Sequence, residues 1–369
     1  MKCDVLIAGG GPAGLYTALN IRNKSVLVLE EHREIGLPGH CAGVVGKFVA
    51  QELSKVTPKL VDGFFRKIVF WSPIGTYKVE HSEPIAYHVN RPLLEERIAS
   101  KVESIGHRIV LRAKAVPRSL GRVKAGGNIY EYDIMVASDG ASSNFKRVLY
   151  GTQSKYLYGL QLVTRLQSIP VDTLFILYSD SLPSFFTWII PLDNSLAKVG
   201  YASGNPSVDY LLYILERKAG LKVTNIVEKL GGLIPVDKPL RDPVLHNRVV
   251  FHGDAVPLTK PYTGGGLHYI FKLTPALARC IEEGSLREYT SYYSHEFYAK
   301  IVVEQRIVDI LRRTRYYLPL PFIQALSRLS ALAPHDFDDH HKLVAKSLAI
   351  LPLMPLLSGA SSAPLKFSR

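Results

Sequence analysis

Val5-Leu6-Ile7-Ala8 followed by Gly9-Gly10-Gly11-Pro12-Ala13-Gly14 is an apolar run that empties into a G-x-G-x-x-G turn, and its reading decides the fold. Gly9 lets the chain turn sharply off a strand over 4–8, Gly11 lets the backbone approach a pyrophosphate, and Gly14 lets a helix over 14–21 pack close to the sheet. The phosphates then rest on the N-terminal N–H groups of that helix, where unpaired donors and the positive end of the dipole favour an anion. Ser25-Val26-Leu27-Val28-Leu29 reads as a second buried parallel strand ending in Glu30, 21 positions after Gly9. A carboxylate about 20 residues on is the group that bonds a ribose hydroxyl. A lone G-x-G-x-x-G is an ordinary Gly-rich turn; strand, helix and acidic residue at this spacing predict a dinucleotide site.

At 369 residues the chain exceeds one typical domain, and 47% hydrophobic against 21% charged residues is a globular balance. The formal charge of +13 points to an acidic partner or simply to solubility. No nucleic-acid-binding motif is present, which leaves an anionic membrane or a phosphorylated substrate. Cys3, Cys41 and Cys280 have neither paired nor metal-ligand spacing, as expected of a reducing, cytoplasmic compartment. The first apolar run is broken at once by glycines, unlike a secretory signal. The late apolar run over 348–357 carries Pro352 and Pro355 and is too short to cross a bilayer.

Further along, residues 35–43 form a Gly/Pro-punctuated loop containing Cys41. Short strands are predicted over 67–71 and 76–79, and Asn90-Arg91-Pro92 opens a helix with Leu94, Ile98 and Val102 on one face. A strand over 134–137 runs into Ser138-Asp139-Gly140-Ala141-Ser142-Ser143, either a ligand loop at the carboxyl end of the sheet or a plain helix N-cap. Between 156 and 201 the chain becomes β-rich and aromatic, with Tyr156, Tyr158, Phe175, Tyr178, Phe185, Phe186, Trp188 and Tyr201 as core or as the lining of an apolar cavity. Helices are expected over 208–218 and 223–229. A strand over 248–252 then leads to Gly253-Asp254-Ala255 and to Gly264-Gly265-Gly266-Leu267 before a helix over 267–283, a second backbone surface suited to a large two-headed ligand. After a helical stretch over 286–316 come Arg312, Arg313, Arg315, Lys342 and Lys346, either a solvated face or an amphipathic element facing an anionic membrane. His335-Asp336-Phe337-Asp338-Asp339-His340-His341 reads as the polar start of a helix rather than a metal site, and the chain from Ser358 reads as disordered.

These motifs together (the glycine turn, Glu30, Arg91 before a helix, D-G-A-S-S at 139–143, G-D-A at 253–255 and G-G-G-L at 264–267) resemble the aromatic-hydroxylase-type FAD-dependent oxidoreductases. Cys41 after I-G-x-P, Gly231-Gly232-Leu233-Ile234-Pro235 and the run 183–191 resemble, more narrowly, the geranylgeranyl reductases that saturate archaeal-type phospholipid chains. The resemblance implies an α/β fold: an FAD-binding Rossmann-like domain with an inserted β-rich substrate domain and a helical C-terminal region. It divides the chain into 1–150 (first part of the FAD domain, with short strands over 64–89 joining the substrate side), 151–240 (substrate domain), 241–310 (return segment) and 311–369 (basic helical region with its tail). It implies that Gly9, Gly11, Ala13, Gly14, Glu30, Cys41, Ala42, Arg91, Ala115, Asp139, Asp254, Gly266 and Leu267 contact FAD. Cys41, Trp188 and Phe186 are the implied catalytic positions. Phe186 and Ile190 stand where the family run has tyrosine and phenylalanine, and Gly43-Val44 replaces an acidic-Gly pair.

An isolated alkene has no carbonyl to accept hydride density, so hydride from a flavin must be matched by a proton on the neighbouring carbon. An ordinary thiol is mostly protonated at neutral pH and can serve as that acid. Trp188 can stabilise cationic character through its ring face by about 0.5–2 kcal/mol. The expected substrate is a prenylated lipid, the electron donor NADPH or a ferredoxin-like carrier, and the location cytoplasmic with peripheral membrane association. The alternative is a monooxygenase or halogenase of the same superfamily, since Phe186-x-Trp188-x-Ile190-Pro191 is one aromatic away from the halogenase run W-x-W-x-I-P. No lysine is assignable to that chemistry from sequence.

Overall fold

The computed structural model describes residues 1–39, 41–182 and 184–350. Most of the late apolar run, with Pro352 and Pro355, and the tail from Ser358 lie outside the described residues. The chain opens with β1 (Lys2–Ala8), α1 (Pro12–Asn20), β2 (Val26–Leu29), β3 (Val44–Val45), α2 (Lys47–Val56), β4 (Val61–Phe65), β5 (Lys67–Ser72), β6 (Gly75–Glu80), β7 (Ala86–Val89) and α3 (Arg91–Ser104). It continues with β8 (Arg108–Val110), β9 (Val116–Ser119), β10 (Arg122–Ala125), β11 (Asn128–Ala137), α4 (Asn144–Tyr150), β12 (Tyr156–Leu166), β13 (Thr173–Leu177), β14 (Thr187–Pro191), β15 (Leu196–Ser203), α5 (Val208–Tyr213) and β16 (Val223–Pro235). It closes with β17 (Val244–Leu245), β18 (Val249–Phe251), α6 (Leu267–Glu283), α7 (Leu286–Tyr293), α8 (Ala299–Arg313), α9 (Leu320–Arg328) and α10 (His340–Ala349).

The first sheet has the order β17-β18-β11-β1-β2-β8, parallel from β18 to β8, with β10 and β9 branching antiparallel from β11. Parallel strands are covered on both faces, so they read as unbroken apolar runs. Val5, Leu6, Ile7 and Ala8 are accordingly fully buried in one core with α1, α3 and α6. In α3, Leu94, Ile98 and Val102 are fully buried at helical spacing, each worth about 1.5–3 kcal/mol. Asn90 caps this helix by accepting from the Leu93 amide, and Pro92 sits in its first turn.

The second sheet, β16-β12-β15-β14-β13-β5-β6, is antiparallel apart from the β13–β5 pair. β5 and β6 thus reach it from early in the chain, whereas β4 and β7 form a separate three-stranded sheet with β3. One expectation is overturned here: residues 223–229 are not helical but open the edge strand β16, paired with β12 from Val223 to Pro235. Val223, Thr224, Ile226 and Val227 are β-branched residues that stiffen a pleated strand, and the cross-strand partner decides the outcome.

Strand alternation also divides the aromatic residues. Phe175 and Tyr201 pack on one face of the sheet with Leu211 and Leu215. Tyr178, Phe185, Phe186 and Trp188 belong to the other face, which α8 and α9 cover through Val308, Leu320 and Leu326. Tyr158 is about half exposed. Four of the eight therefore share one cluster, not all. No described helix is long and apolar enough to cross a membrane.

Candidate active site

The glycine turn is fixed by close contacts. Gly9 has φ +105°, and a Cβ there would meet the Ser138 carbonyl oxygen at 2.3 Å. A Cβ on Gly14 would fall 2.0 Å from the Gly9 oxygen, which is how α1 approaches β1 so closely. Gly11 differs: its missing side chain faces open space, and as N-cap of α1 it brings no capping side chain. Open volume over unpaired helix donors is what a pyrophosphate requires. Glu30 faces the same turn, its Oε2 accepting from the Gly10 amide at 2.6 Å and its Oε1 from the His32 amide at 2.8 Å. The Ala113 amide donates to the Glu30 carbonyl at 2.7 Å, so Ala115 lies two residues beyond a contact with this acidic position.

The return segment meets the turn directly. Gly253 (φ +65°) has room for no Cβ because Ala13 would stand 2.6 Å from it. Asp254 Oδ1 lies 3.1 Å from where a Gly266 Cβ would be, and Leu267 begins α6. Burial pushes the Asp254 carboxyl up to about 6, with Arg91 pulling it back. Asp139 is held by the Ser143 hydroxyl and the Phe145 amide (3.1 Å), so it takes part in capping α4 together with Ser143. Burial raises its pKa, and the Ser143 bond opposes that rise.

Arg91 binds Glu95 one helical turn on at 2.5 Å and faces the Cys41 thiol, while its buried Nε has no partner among the described residues. A buried donor without an acceptor is costly, and a bound anionic or carbonyl-bearing group would satisfy it. These residues fit FAD: Gly11 and α1 would take the pyrophosphate, Glu30 the adenosine ribose, Asp254 the ribityl and pyrophosphate side, and Gly266 and Leu267 the ring.

Three polar residues that the sequence reading missed complete the site. Lys198 on β15 places Nζ 3.0 Å from His88 Nε2 and 3.5 Å from the Ala42 carbonyl oxygen, next to Cys41. His88 Nδ1 lies 2.5 Å from Asp62 Oδ1. Gly43 (φ +83°) makes this possible, since a Cβ would press the His88 ring at 3.0 Å and the Val89 oxygen at 2.7 Å. The available signal was a lone lysine in the otherwise uncharged strand Leu196–Ser203, where Ala197 and Val199 are fully buried.

On the apolar side, Trp188 lies across Gly200, where a Cβ would come within 2.6 Å of its ring, and its indole N–H donates to Gln161 at 3.1 Å. Phe185 and Phe186 stack at 4.4 Å, and Ala42 packs against the same cluster. The loop 260–266 is anchored by the C-terminal region. Tyr262 stacks on Tyr316 at 4.7 Å, Arg312 reaches the Ser184 and Pro261 oxygens, and Lys260 donates to the Phe337 oxygen at 3.0 Å and lies 3.6 Å from Asp338. The five basic residues expected to form one surface therefore divide: Arg312 and Lys346, the latter on buried Asp336 at 2.5 Å, are used internally. Residues 335–341 hold a short 3₁₀ turn and the start of α10, and no metal-holding group of His, Cys, Asp or Glu occurs among the described residues.

No family model matches the chain. It is 30% identical over 290 residues to an uncharacterized protein of Methanocaldococcus jannaschii, covering 72% of this chain and 71% of that one. It is 28% identical over 314 residues to the digeranylgeranylglycerophospholipid reductase of Methanospirillum hungatei, covering 76% and 77%, and 26% identical over 303 residues to that of Methanothrix thermoacetophila, covering 72% and 74%. Among solved structures, a geranylgeranyl bacteriochlorophyll reductase-like protein from Thermoplasma acidophilum superposes with TM-score 0.81 at 18% identity, over 97% of this chain and 99% of that one. A flavin-dependent brominase superposes with TM-score 0.60 at 16% identity over 94% of each chain. FAD is thus the cofactor that the fold and the glycine cradle share, and the chain belongs to the geranylgeranyl reductase family of FAD-dependent oxidoreductases.

Proposed function

We propose that the protein hydrogenates the C=C bonds of geranylgeranyl or other prenyl chains on membrane lipids, with Cys41 as the proton donor. The observation that carries this reading is the position of the Cys41 thiol: it faces Arg91, with Lys198 beside it, and the neighbouring Ala42 packs against the aromatic cluster of Phe185, Phe186 and Trp188. FAD, when bound and reduced, supplies hydride. Arg91 and Lys198 stabilise the thiolate left when the Cys41 proton goes to the alkene carbon. Phe186 and Trp188 exclude water and order the isoprenoid chain, and Trp188 presents its ring face to positive charge at the substituted carbon.

Electrons come from NADPH or a ferredoxin-like carrier, and the lipid is met at the membrane surface from the cytoplasmic side. Arg313, Arg315 and Lys342 remain as the basic set for that encounter, beside exposed Ile310, Leu318 and Leu348. The test is anaerobic: the flavin of the purified protein is bleached with reductant and a prenyl lipid is added. Reoxidation together with two-dalton steps in the lipid mass is expected. Absence of both, with oxygen-dependent hydroxylation or halogenation of an aromatic compound instead, would replace this reading by the monooxygenase or halogenase alternative.

A further inference from the structure

We propose that Lys198, aimed by His88 and Asp62, is the positioning residue that holds a cation beside the Cys41 sulfur and returns to it the proton given up in each turnover. This deepens the reading of Cys41 as proton donor and rests on it. The two cations at the sulfur are not equivalent. Arg91 is bonded to Glu95, which neutralises much of its charge, and a guanidinium does not release protons at physiological pH. Among the described residues Lys198 has no carboxylate in salt-bridge contact; its partners are a carbonyl oxygen and an imidazole nitrogen. The Asp62 carboxylate assigns the His88 proton to Nδ1, so Nε2 accepts from the ammonium and fixes its direction.

His88 is 6% exposed while Asp62 is 43% exposed, so the line begins in solvent and ends at the thiol. The register supports this placement: Lys198 pairs with Ile190 and Gly200 with Trp188, which puts Lys198 on the sheet face that carries the aromatic cluster. The charged and titratable groups facing the sulfur and the ammonium are Arg91 and Glu95 on α3, Asp254 after β18, Asp62 on β4, His88 on β7 and Glu228 on β16. Burial lowers the Lys198 pKa, and Cys41 and Asp62 oppose that fall, so the ammonium is a readier proton source than a surface lysine.

The Cys41 S–H bond breaks as a C–H bond forms on one alkene carbon, and the hydride for the other carbon would be supplied by bound, reduced FAD. The thiolate then takes a proton from the Lys198 ammonium, and the resulting amine regains one from water.

The test uses the FAD-loaded protein and iodoacetamide, with alkylation of Cys41 read by peptide mass from pH 5 to 10. Cys3, whose thiol is pushed up to about 11 by burial and then by Asp4, does not compete in the lower range. Lys198→Gln is expected to move the half-alkylation pH up by about one unit, a tenfold slower reaction near pH 7. Lys198→Arg is expected to restore that profile yet leave prenyl-lipid turnover slowed at least tenfold, because it keeps the charge and cannot return the proton. Asp62→Asn, at a half-exposed position, is expected to move the profile in the same direction by less. Profiles of Lys198→Gln and Asp62→Asn that superimpose on wild type, with flavin retained, would overturn the placement of Lys198 whatever turnover does. Near-normal turnover in Cys41→Ala would instead overturn the acid assignment of Cys41 and the proton return with it.

Discussion

Two polar clusters stand behind the backbone that addresses the cofactor, and they are built from similar residues to different ends. Behind Cys41, the line Asp62, His88, Lys198 has one terminus in water. Behind the loop 260–266, Lys260, His268 and Asp338 are 10%, 6% and 4% exposed, with Glu304 buried and His340 half-buried beside them. A charged group with a solvent end can exchange protons during turnover, whereas a sealed pair can only hold geometry, because removing either charge strands the other. The first cluster therefore serves chemistry and the second serves the shape of the loop.

The comparison breaks most visibly at Asp338, which accepts from the Phe48 amide at 3.0 Å and faces both Lys260 and His268. Burial alone would raise its pKa, but His268, Lys260 and the Phe48 amide outweigh burial and hold it at about 2. Asp338→Ala should cost about 3–5 kcal/mol, a fall in Tm of roughly 10 °C at neutral pH, and leave the alkylation profile of Cys41 unchanged. Cys41→Ala should do the reverse: flavin content and Tm are kept, while alkene reduction falls by about two or more orders of magnitude in a lipid mass assay.

Glu304 gives the pH test of the sealed cluster. Burial, and then Asp339, push its carboxyl up from 4.5 to about 7, and Oε2 has no partner among the described residues. The unfolded chain releases this proton near 4.5 while the folded chain keeps it. The stability it contributes is thus full below pH 4.5 and lost as pH rises to about 7. Glu304→Gln should leave Tm unchanged near pH 4.5 and raise it by a few degrees at pH 8. The smallest effect separates the basic residues. Arg313→Gln and Arg315→Gln should each weaken binding to anionic vesicles by about 1 kcal/mol in low salt, while Arg312→Gln should lower Tm through its two lost carbonyl contacts.

The nucleotide half of the fold was legible because its signals are local: an apolar strand, a glycine turn and an acid at fixed spacing lie within 30 residues. Glu30 is read from that spacing, whereas Arg91 and Asp254 are named as site residues only through the family resemblance. Lys198, His88 and Asp62 were not legible, since they lie on three strands of two sheets and meet only through pairing register. Residues 223–229 misled because a mixed polar and β-branched run fits both periods until its partner strand is known. The stretch at 335–341 reads as the polar start of a helix and does lead into one, but burial of Asp336 and Asp338 as counter-charges depends on Lys346 and Lys260, whose approach is set by tertiary packing.

The anchoring of the loop 260–266 also bears on how the protein is made. Its restraints come from Arg312, Tyr316, Phe337 and Asp338, all of which follow it in the chain. The glycine turn that receives the nucleotide is synthesised about 300 residues before Arg312. A nascent chain arrested before residue 312 would have its nucleotide sheet complete but its ring-side loop untethered. Retention of FAD is accordingly expected only once the segment 312–338 has been made, and stalled chains released at increasing lengths should show flavin fluorescence appear when that segment is included.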